Sequence, residues 1–136
     1  MKNNERHPTA RMLLGKRGED AACRFIDSLG HRIIARNYRT GHLEIDIIST
    51  DGYGVHFVEV KSRVAPVAAA PEENVTALKQ RKIAKAALSF LHKADRYGIQ
   101  GCPEVFFDVV AVTFEKGEEK VEWFPEAFLP IYTKGR

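Results

Sequence analysis

The chain has 136 residues, of which 44% are hydrophobic and 29% charged, a composition that excludes a disordered chain and predicts one globular domain. No stretch approaches the roughly 18 apolar residues of a membrane span, and the polar first nine residues argue against a secretory signal. Two cysteines make neither a disulfide framework nor a zinc motif, so we expect a cytoplasmic protein. The predicted domain covers residues 1–136, with a flexible tail at 1–8.

The net charge of +3 is unevenly distributed along the chain. Residues 1–40 and 61–100 each carry a net charge of +5, whereas residues 41–60 carry −4 and residues 101–136 carry −3. An acidic segment between two basic ones suits a protein that holds a polyanion near a divalent cation. Exposed helices rich in lysine and arginine would give the same pattern, so charge alone does not establish a nucleic-acid partner.

The first predicted element is a helix. Thr9 is a candidate N-cap, apolar residues recur at helical spacing as far as Leu29, and Gly30 is a candidate C-cap. Within this helix Gly15 and Gly18 would allow another part of the chain to approach closely.

Three strand segments follow the helix. The segment around Asp46 alternates, with Leu43, Ile45 and Ile47 predicted on one face. A turn at Asp51-Gly52 predicts a hairpin with the next segment. The predicted strands are residues 32–38, 43–49 and 55–61.

The second half of the chain predicts one more helix and two strands. Two prolines indicate a loop at residues 64–71. A helix at 73–97 has apolar and basic stripes, and strands are predicted at 105–114 and 120–124. Because a helix connects the third and fourth strands, we expect a parallel pairing somewhere in the sheet. The fold class is therefore α/β, a mixed sheet flanked by helices in the order αβββαββ.

The predicted hairpin brings acidic side chains together. One allowed register places Asp46 opposite Glu59, and another places Glu44 opposite Glu59; either way two carboxylates share a face within about 5 to 8 Å. A divalent cation such as Mg²⁺ would relieve their repulsion and bind a phosphate, and Lys61 would stabilise the charge that develops. Alternatively, Glu59 and Lys61 form a surface ion pair worth about 0 to 1 kcal/mol.

These residues carry a resemblance to a known superfamily. Asp46, followed thirteen residues later by Glu59-Val60-Lys61, resembles the PD-(D/E)xK nucleases, which include restriction endonucleases and archaeal Holliday-junction resolvases. A closer resemblance is to the YraN-type family of small bacterial endonuclease-like proteins. The segments that carry it are residues 15–22, 36–39, 44–48, 57–63 and 79–83.

The resemblance implies a restriction-endonuclease-like fold and a metal-dependent DNA endonuclease that hydrolyses phosphodiester bonds. It implies that Asp46 and Glu59 bind Mg²⁺ or Mn²⁺, that Lys61 is catalytic, and that Glu19 is an additional acidic catalytic residue. Branched and damaged DNA are candidate substrates, and a homodimer is one expectation, since small resolvase-like nucleases act as dimers. Leu43 departs from the family, which usually has glycine there, but this removes no ligand.

Basic residues outside the acidic centre are candidates for holding DNA without reading its sequence. Asp108, in the middle of a predicted strand, is expected to make a structural hydrogen bond, and the five histidines show no metal-ligand spacing. Two alternatives stay open, a non-catalytic nucleic-acid-binding module and a protein-interaction module that retains the nuclease fold. The candidate nucleic-acid-binding residues are Arg36, Arg39, Arg63, Lys79 and Arg81.

Overall fold

The helices and strands occur in the predicted order. A computed structural model describes residues 7–67 and 75–128, so most of the predicted tail at 1–8 and part of the loop at 64–71 lie outside the described residues. The elements are α1 (Ala10–Ser28), β1 (Arg32–Thr40), β2 (Leu43–Thr50), β3 (Gly54–Val64), α2 (Ala77–Leu91), a 3₁₀ helix (Ala94–Tyr97), β4 (Glu104–Glu115) and β5 (Glu118–Phe124).

The five strands form one mixed sheet in the order β1-β2-β3-β4-β5. β3 and β4 are parallel, as the crossover through α2 requires, and the other neighbouring pairs are antiparallel. The predicted fold class, a mixed sheet flanked by helices, is confirmed. None of the helices in the described ranges is long and apolar enough to cross a membrane.

Each helix covers one face of the sheet. On the α1 face Ala22 and Ile26 pack among buried valines and one isoleucine of the inner strands. On the α2 face Ile83 and Phe90 pack in a separate cluster that includes Phe57 of β3. Because burying one such side chain contributes about 1.5 to 3 kcal/mol, the two apolar clusters hold both helices against the sheet.

Both helices begin at a capping threonine. Thr9 Oγ1 accepts a hydrogen bond from Met12 N at 3.1 Å, as predicted, and Thr76 Oγ1 accepts one from Lys79 N at 3.2 Å. The prediction of one helix over 73–97 is wrong, because α2 ends at Leu91 and a separate 3₁₀ helix follows. Ala94 of that 3₁₀ helix is buried, so the apolar stripe continues across the break.

The predicted face of Ile47 is also wrong. Ile45 packs with the α2-side cluster, whereas Ile47 packs with the α1-side cluster and Ile48 returns to the α2 side. The alternation of side chains between the two faces of β2 is therefore interrupted at Asp46, so that Ile45 and Ile47 lie on opposite faces of the sheet. Across from Asp46 in β1 stands Asn37, whose φ of +50° breaks the regular extended backbone between two paired residues.

Candidate active site

The site lies where β2 and β3 separate. Their ladder runs as far as the pair Ile47–Val58, which is the register that sets Asp46 across from Glu59 rather than Glu44 across from Glu59. Beyond this pair a side chain replaces the backbone as hydrogen-bond acceptor, since Asp46 Oδ2 accepts a hydrogen bond from Val60 N at 2.8 Å. The carboxylate of Asp46 is therefore held between the two strands.

The carboxyl groups of Asp46 and Glu59 lie within hydrogen-bonding reach of each other. Burial, followed by the negative charge of Glu59, raises the pKa of Asp46 from its ordinary 3.8 to about 8, although the bond from Val60 N opposes the shift. Glu59 is itself buried, with 8% of its surface exposed. Two acids this close and this poorly solvated form a strong site for a positive charge.

Two lysines supply positive charge at the pair. Lys79, from the first turn of α2, contacts Glu59 Oε1 directly, and Lys61 Nζ lies 3.8 Å from the same oxygen. Burial, together with the neighbouring Lys79, lowers the pKa of Lys61. Burial is the largest influence on Lys79 and opposes its charge, but the hydrogen bond to Glu59 and the negative charges of Glu59 and Asp46 together raise the pKa of Lys79.

The helix α1 brings a third acid to the same place. Glu19 has a pKa raised by burial, although a hydrogen bond from Asn37 and the charge of Arg36 act in the opposite direction. The neighbouring Gly18 explains the close approach of α1 to β3. A Cβ at Gly18 would stand only 1.6 Å from Ser62 Oγ, so any larger residue would push the helix away.

Together these side chains line a cavity of about 290 Å³. It lies at the point where β2 and β3 separate beyond the pair Ile47–Val58, the β2–β3 fork. The five predicted residues Glu19, Asp46, Glu59, Lys61 and Lys79 come together there. Sequence reasoning did not single out two polar lining residues, Arg11 and Ser62. Ser62 follows Lys61 in β3, but nothing in its own pattern distinguishes it, and Arg11 shares only the general basicity of the N-terminal segment. The lining residues are Arg11, Leu14, Gly15, Glu19, Asp46, Glu59, Val60, Lys61, Ser62 and Lys79.

The predicted DNA-binding arginines divide into two groups. Arg36 and Arg39 line a neighbouring groove of about 760 Å³, which shares Glu19 and Gly15 with the cavity. Arg36 Nη2 lies 2.7 Å from Asp20 Oδ1, and Arg39 Nε lies 3.5 Å from Glu44 Oε2.

The second group is not brought to the acidic centre. Arg63 is partly buried in β3, and Arg81 is partly buried on α2. Within the described part of the chain neither residue lines the cavity or the neighbouring groove. Their assignment to nucleic-acid binding stays a prediction.

The structure contains a second cluster of polar side chains that the sequence did not predict. One ligand atom each from His31, Asp51 and His56 lie within 4.8 Å of one another, so these residues could hold a metal ion. His31 precedes β1 and His56 lies in β3, so linear spacing gave no signal. Asp108 is 1% exposed and bonds to His56, which agrees with the structural hydrogen bond expected of it.

A mixed sheet flanked by helices, with acids and lysines gathered at the fork of two strands, defines a protein of the nuclease-like PD-(D/E)xK class. The chain belongs to the family described as "Uncharacterised protein family UPF0102", whose model matches residues 18–112. This is the YraN-type family that the sequence resembles, so that prediction is confirmed.

Relatives of similar size support the family membership. A UPF0102 protein of Anaeromyxobacter dehalogenans is 42% identical over 119 residues, which cover 87% of this chain and 85% of the relative. One from Chlorobaculum tepidum is 46% identical over 99 residues, covering 73% and 74%. A solved structure of Pyrococcus furiosus SfsA in complex with Ca²⁺ is 17% identical with a TM-score of 0.32, covering 83% of this chain and 62% of that chain, a likeness too weak to transfer any property.

Proposed function

We propose that this protein is a metal-dependent endonuclease that hydrolyses phosphodiester bonds in DNA. The observation that carries the proposal is the pair Asp46 and Glu59, two carboxyl groups within hydrogen-bonding reach at the β2–β3 fork, with the Asp46 pKa raised to about 8. A structural role alone would favour neutral or oppositely charged neighbours for a buried acid. Perturbed acids that converge in a cleft are instead typical of binding and catalytic sites.

The donor set of the cavity fits Mg²⁺ or Mn²⁺. Asp46 and Glu59 would hold the ion through carboxylate oxygens, the ligands that hard divalent cations prefer. A bound ion would polarise a phosphate oxygen and make an attacking water more acidic. The third acid, Glu19, lines the same cavity from α1 and would assist by orienting that water.

The lysines would act on the charge of the phosphate. Lys61 Nζ lies on the cavity wall 3.8 Å from Glu59, so its ammonium group can hold a phosphate oxygen as negative charge develops. Lys79 contacts Glu59 directly and would keep that carboxylate oriented. Arg36 and Arg39, in the adjoining groove, would contact the backbone of DNA that leads into the cavity.

A cleavage assay tests this proposal. Tag-free protein is incubated with Mn²⁺ and end-labelled duplex, branched, single-stranded and damaged DNA, and the products are resolved on denaturing gels. Lys61→Ala and Glu59→Gln should each lower the cleavage rate by about 100-fold or more, since removing one group that stabilises transition-state charge typically costs this much.

The matched control is Lys82→Ala, which removes an exposed lysine of α2 that does not line the cavity. This variant should cleave at the wild-type rate. Equal cleavage by the wild type and Lys61→Ala would contradict the assigned role, and an absence of cleavage of every DNA form would contradict the proposed activity.

One contact favours a second candidate, a non-catalytic nucleic-acid-binding module. Lys79 already neutralises Glu59, as a structural ion pair would in a site that no longer binds metal. This candidate predicts that titration with Mn²⁺ gives the same calorimetric heat for the wild type and for Glu59→Gln. It also predicts that Asp46→Asn still binds DNA. Heat that depends on Glu59 would favour the endonuclease.

A further inference from the structure

We propose that His31, Asp51 and His56 form a second metal site, one suited to a transition metal such as Zn²⁺ and distinct from the acidic cavity. Their ligand atoms lie within 4.8 Å of one another, and the two histidines are buried, with 9% and 5% of their surface exposed. The side chain of Asp51 is 29% exposed, which leaves an entry path from solvent. The proposal does not depend on the nuclease function.

Hydrogen bonds fix which atom of His56 faces the site. The carboxylate of Asp108 accepts bonds from Glu126 N at 2.8 Å and from Trp123 Nε1 at 3.4 Å. Its Oδ2 also lies 2.6 Å from His56 Nδ1, so this nitrogen carries the hydrogen and donates it. The other nitrogen, Nε2, lies 3.0 Å from Asp51 Oδ2 and donates a hydrogen to it in the metal-free protein; a metal ion would replace this proton and bind both atoms.

The other two ligands are oriented in the same way. Asp51 Oδ1 accepts hydrogen bonds from Tyr53 N at 2.8 Å and Gly54 N at 3.0 Å, which directs its Oδ2 toward His56. His31 Nδ1 lies 3.1 Å from the buried hydroxyl of Ser49, which leaves Nε2 for a ligand. Each ligand therefore has its own supporting bond, the arrangement in which protein metal sites fix a histidine or carboxylate.

The donor set selects the class of metal. Two imidazole nitrogens and one carboxylate oxygen suit Zn²⁺, Co²⁺ or Ni²⁺ and leave a fourth position for water. Mg²⁺, which the oxygen donors of the cavity favour, binds imidazole poorly. His56 precedes Glu59 by three residues in β3, which places the two sites about 10 Å apart along the strand.

A metal here would join β3 and its turn to the segment before β1, which the sheet does not pair with β3 directly. His31 lies between α1 and β1, Asp51 in the β2–β3 turn, and His56 in β3. β2 separates β1 from β3 in the sheet. The ion would therefore tie the C-terminal end of α1 to the hairpin and raise the stability of the fold, because it binds the folded chain and not the unfolded one.

The experiment is a titration of tag-free, metal-free protein with Zn²⁺ and Co²⁺. Calorimetry gives the stoichiometry, and the fluorescence of the single tryptophan, Trp123, reports the site, since its ring centroid lies 6.1 Å from that of His31. Substituting Asp46→Asn and Glu59→Gln together removes binding by the acidic cavity. In this background we expect one ion per chain, quenching of Trp123 by Co²⁺, and the visible absorption of four-coordinate cobalt.

Two variants test the ligands independently. Asp51→Asn keeps the oxygen that accepts the two turn bonds, and His31→Gln keeps a polar side chain beside Ser49; each should weaken Zn²⁺ binding at least tenfold. The matched control is His92→Gln, an exposed histidine, which should bind as the parent does. Circular dichroism confirms that each variant is folded. Undetectable binding by the parent, or equal affinity in Asp51→Asn, would overturn the proposal and leave His56 and Asp51 as a structural ion pair.

Discussion

At the scale of single residues, the buried carboxyl group of Asp46 lowers the stability of the metal-free protein. Its carboxyl group is buried beside Glu59, and the bond from Val60 N does not offset these two effects, so its pKa rises to about 8. Asparagine has the same shape and retains an oxygen to accept the Val60 bond, but it carries no charge. The amide is therefore expected to fit the metal-free fold better than the acid does.

We predict that Asp46→Asn raises the free energy of unfolding at pH 7 in EDTA by at least about 1 kcal/mol, the worth of one pKa unit. The folded-state pKa of Asp46 lies above its ordinary value, so the contribution of this acid to stability is lost as the pH rises through about 8. The gain from Asn should therefore grow between about pH 4 and pH 8 and then level off. Urea denaturation at several pH values measures it.

Bound metal should reverse the order of stability, so that the wild type becomes more stable than Asp46→Asn. Mn²⁺ is expected to stabilise the wild type and to leave Asp46→Asn nearly unchanged, since the variant lacks one of the two acidic ligands. Asp27→Asn, an exposed acid elsewhere on α1, is the matched control and should show neither effect. A loss of stability in metal-free Asp46→Asn at pH 8 would mean that the carboxylate contributes to the fold rather than straining it.

At the scale of elements, the position of Glu19 depends on how closely α1 packs on β3. A Cβ at Gly18 would lie 1.6 Å from Ser62 Oγ and 2.7 Å from Ser62 Cβ. The hydroxyl can rotate away, but the Cβ cannot move without the strand. A larger residue must therefore separate the helix from the strand that carries Lys61.

We predict that Gly18→Ala lowers the free energy of unfolding by about 1 to 2 kcal/mol, because the overpacking outweighs the gain in helix propensity. Gly15→Ala is the matched control, since its Cβ would meet nothing within 4 Å and the same propensity should stabilise the protein by up to about 1 kcal/mol. Adding Ser62→Gly to Gly18→Ala should recover most of the loss. Equal stability of the two alanine variants in urea would contradict close packing of α1 on β3.

The sequence predicted the elements well wherever a signal is local. Thr9 and the turn at Asp51 are capping and turn residues, and they act within a few positions. The turn also limits the hairpin to a few registers, and the pairing of Asp46 with Glu59 was one of the two that the sequence left open. The end of α2 at Leu91 was not foreseeable, because Ala94 continues the apolar stripe through the break.

Contacts across the sheet were not foreseeable. His31 and His56 come from segments on either side of β2, and the separation of two residues in sequence contains no information about such a meeting. The interruption of the alternation at Asp46 was also not predicted, since it depends on the backbone of Asn37 in the neighbouring strand. Both require the order and register of the strands.

At the scale of the whole molecule, the positive charge near the cavity is already partly neutralised. Arg36 pairs with Asp20 and Arg39 with Glu44, and exposed pairs of this kind are worth little. DNA phosphates could therefore compete for these arginines at small cost. Such binding would be independent of base sequence. It would weaken as the salt concentration rises, because the release of counterions from the DNA then becomes less favourable.

We predict that Arg39→Ala weakens binding equally for unrelated DNA sequences and lowers the slope of log affinity against log salt by about 1 between about 50 and 200 mM salt. Arg39 is 74% exposed on β1, so its loss should leave the fold intact. The matched control is Lys120→Ala on β5, an exposed lysine at the opposite edge of the sheet, where the slope should not change. Fluorescence anisotropy measures both variants. Equal slopes for the two would place the DNA away from β1, and the groove beside Glu19 would no longer be its path into the cavity.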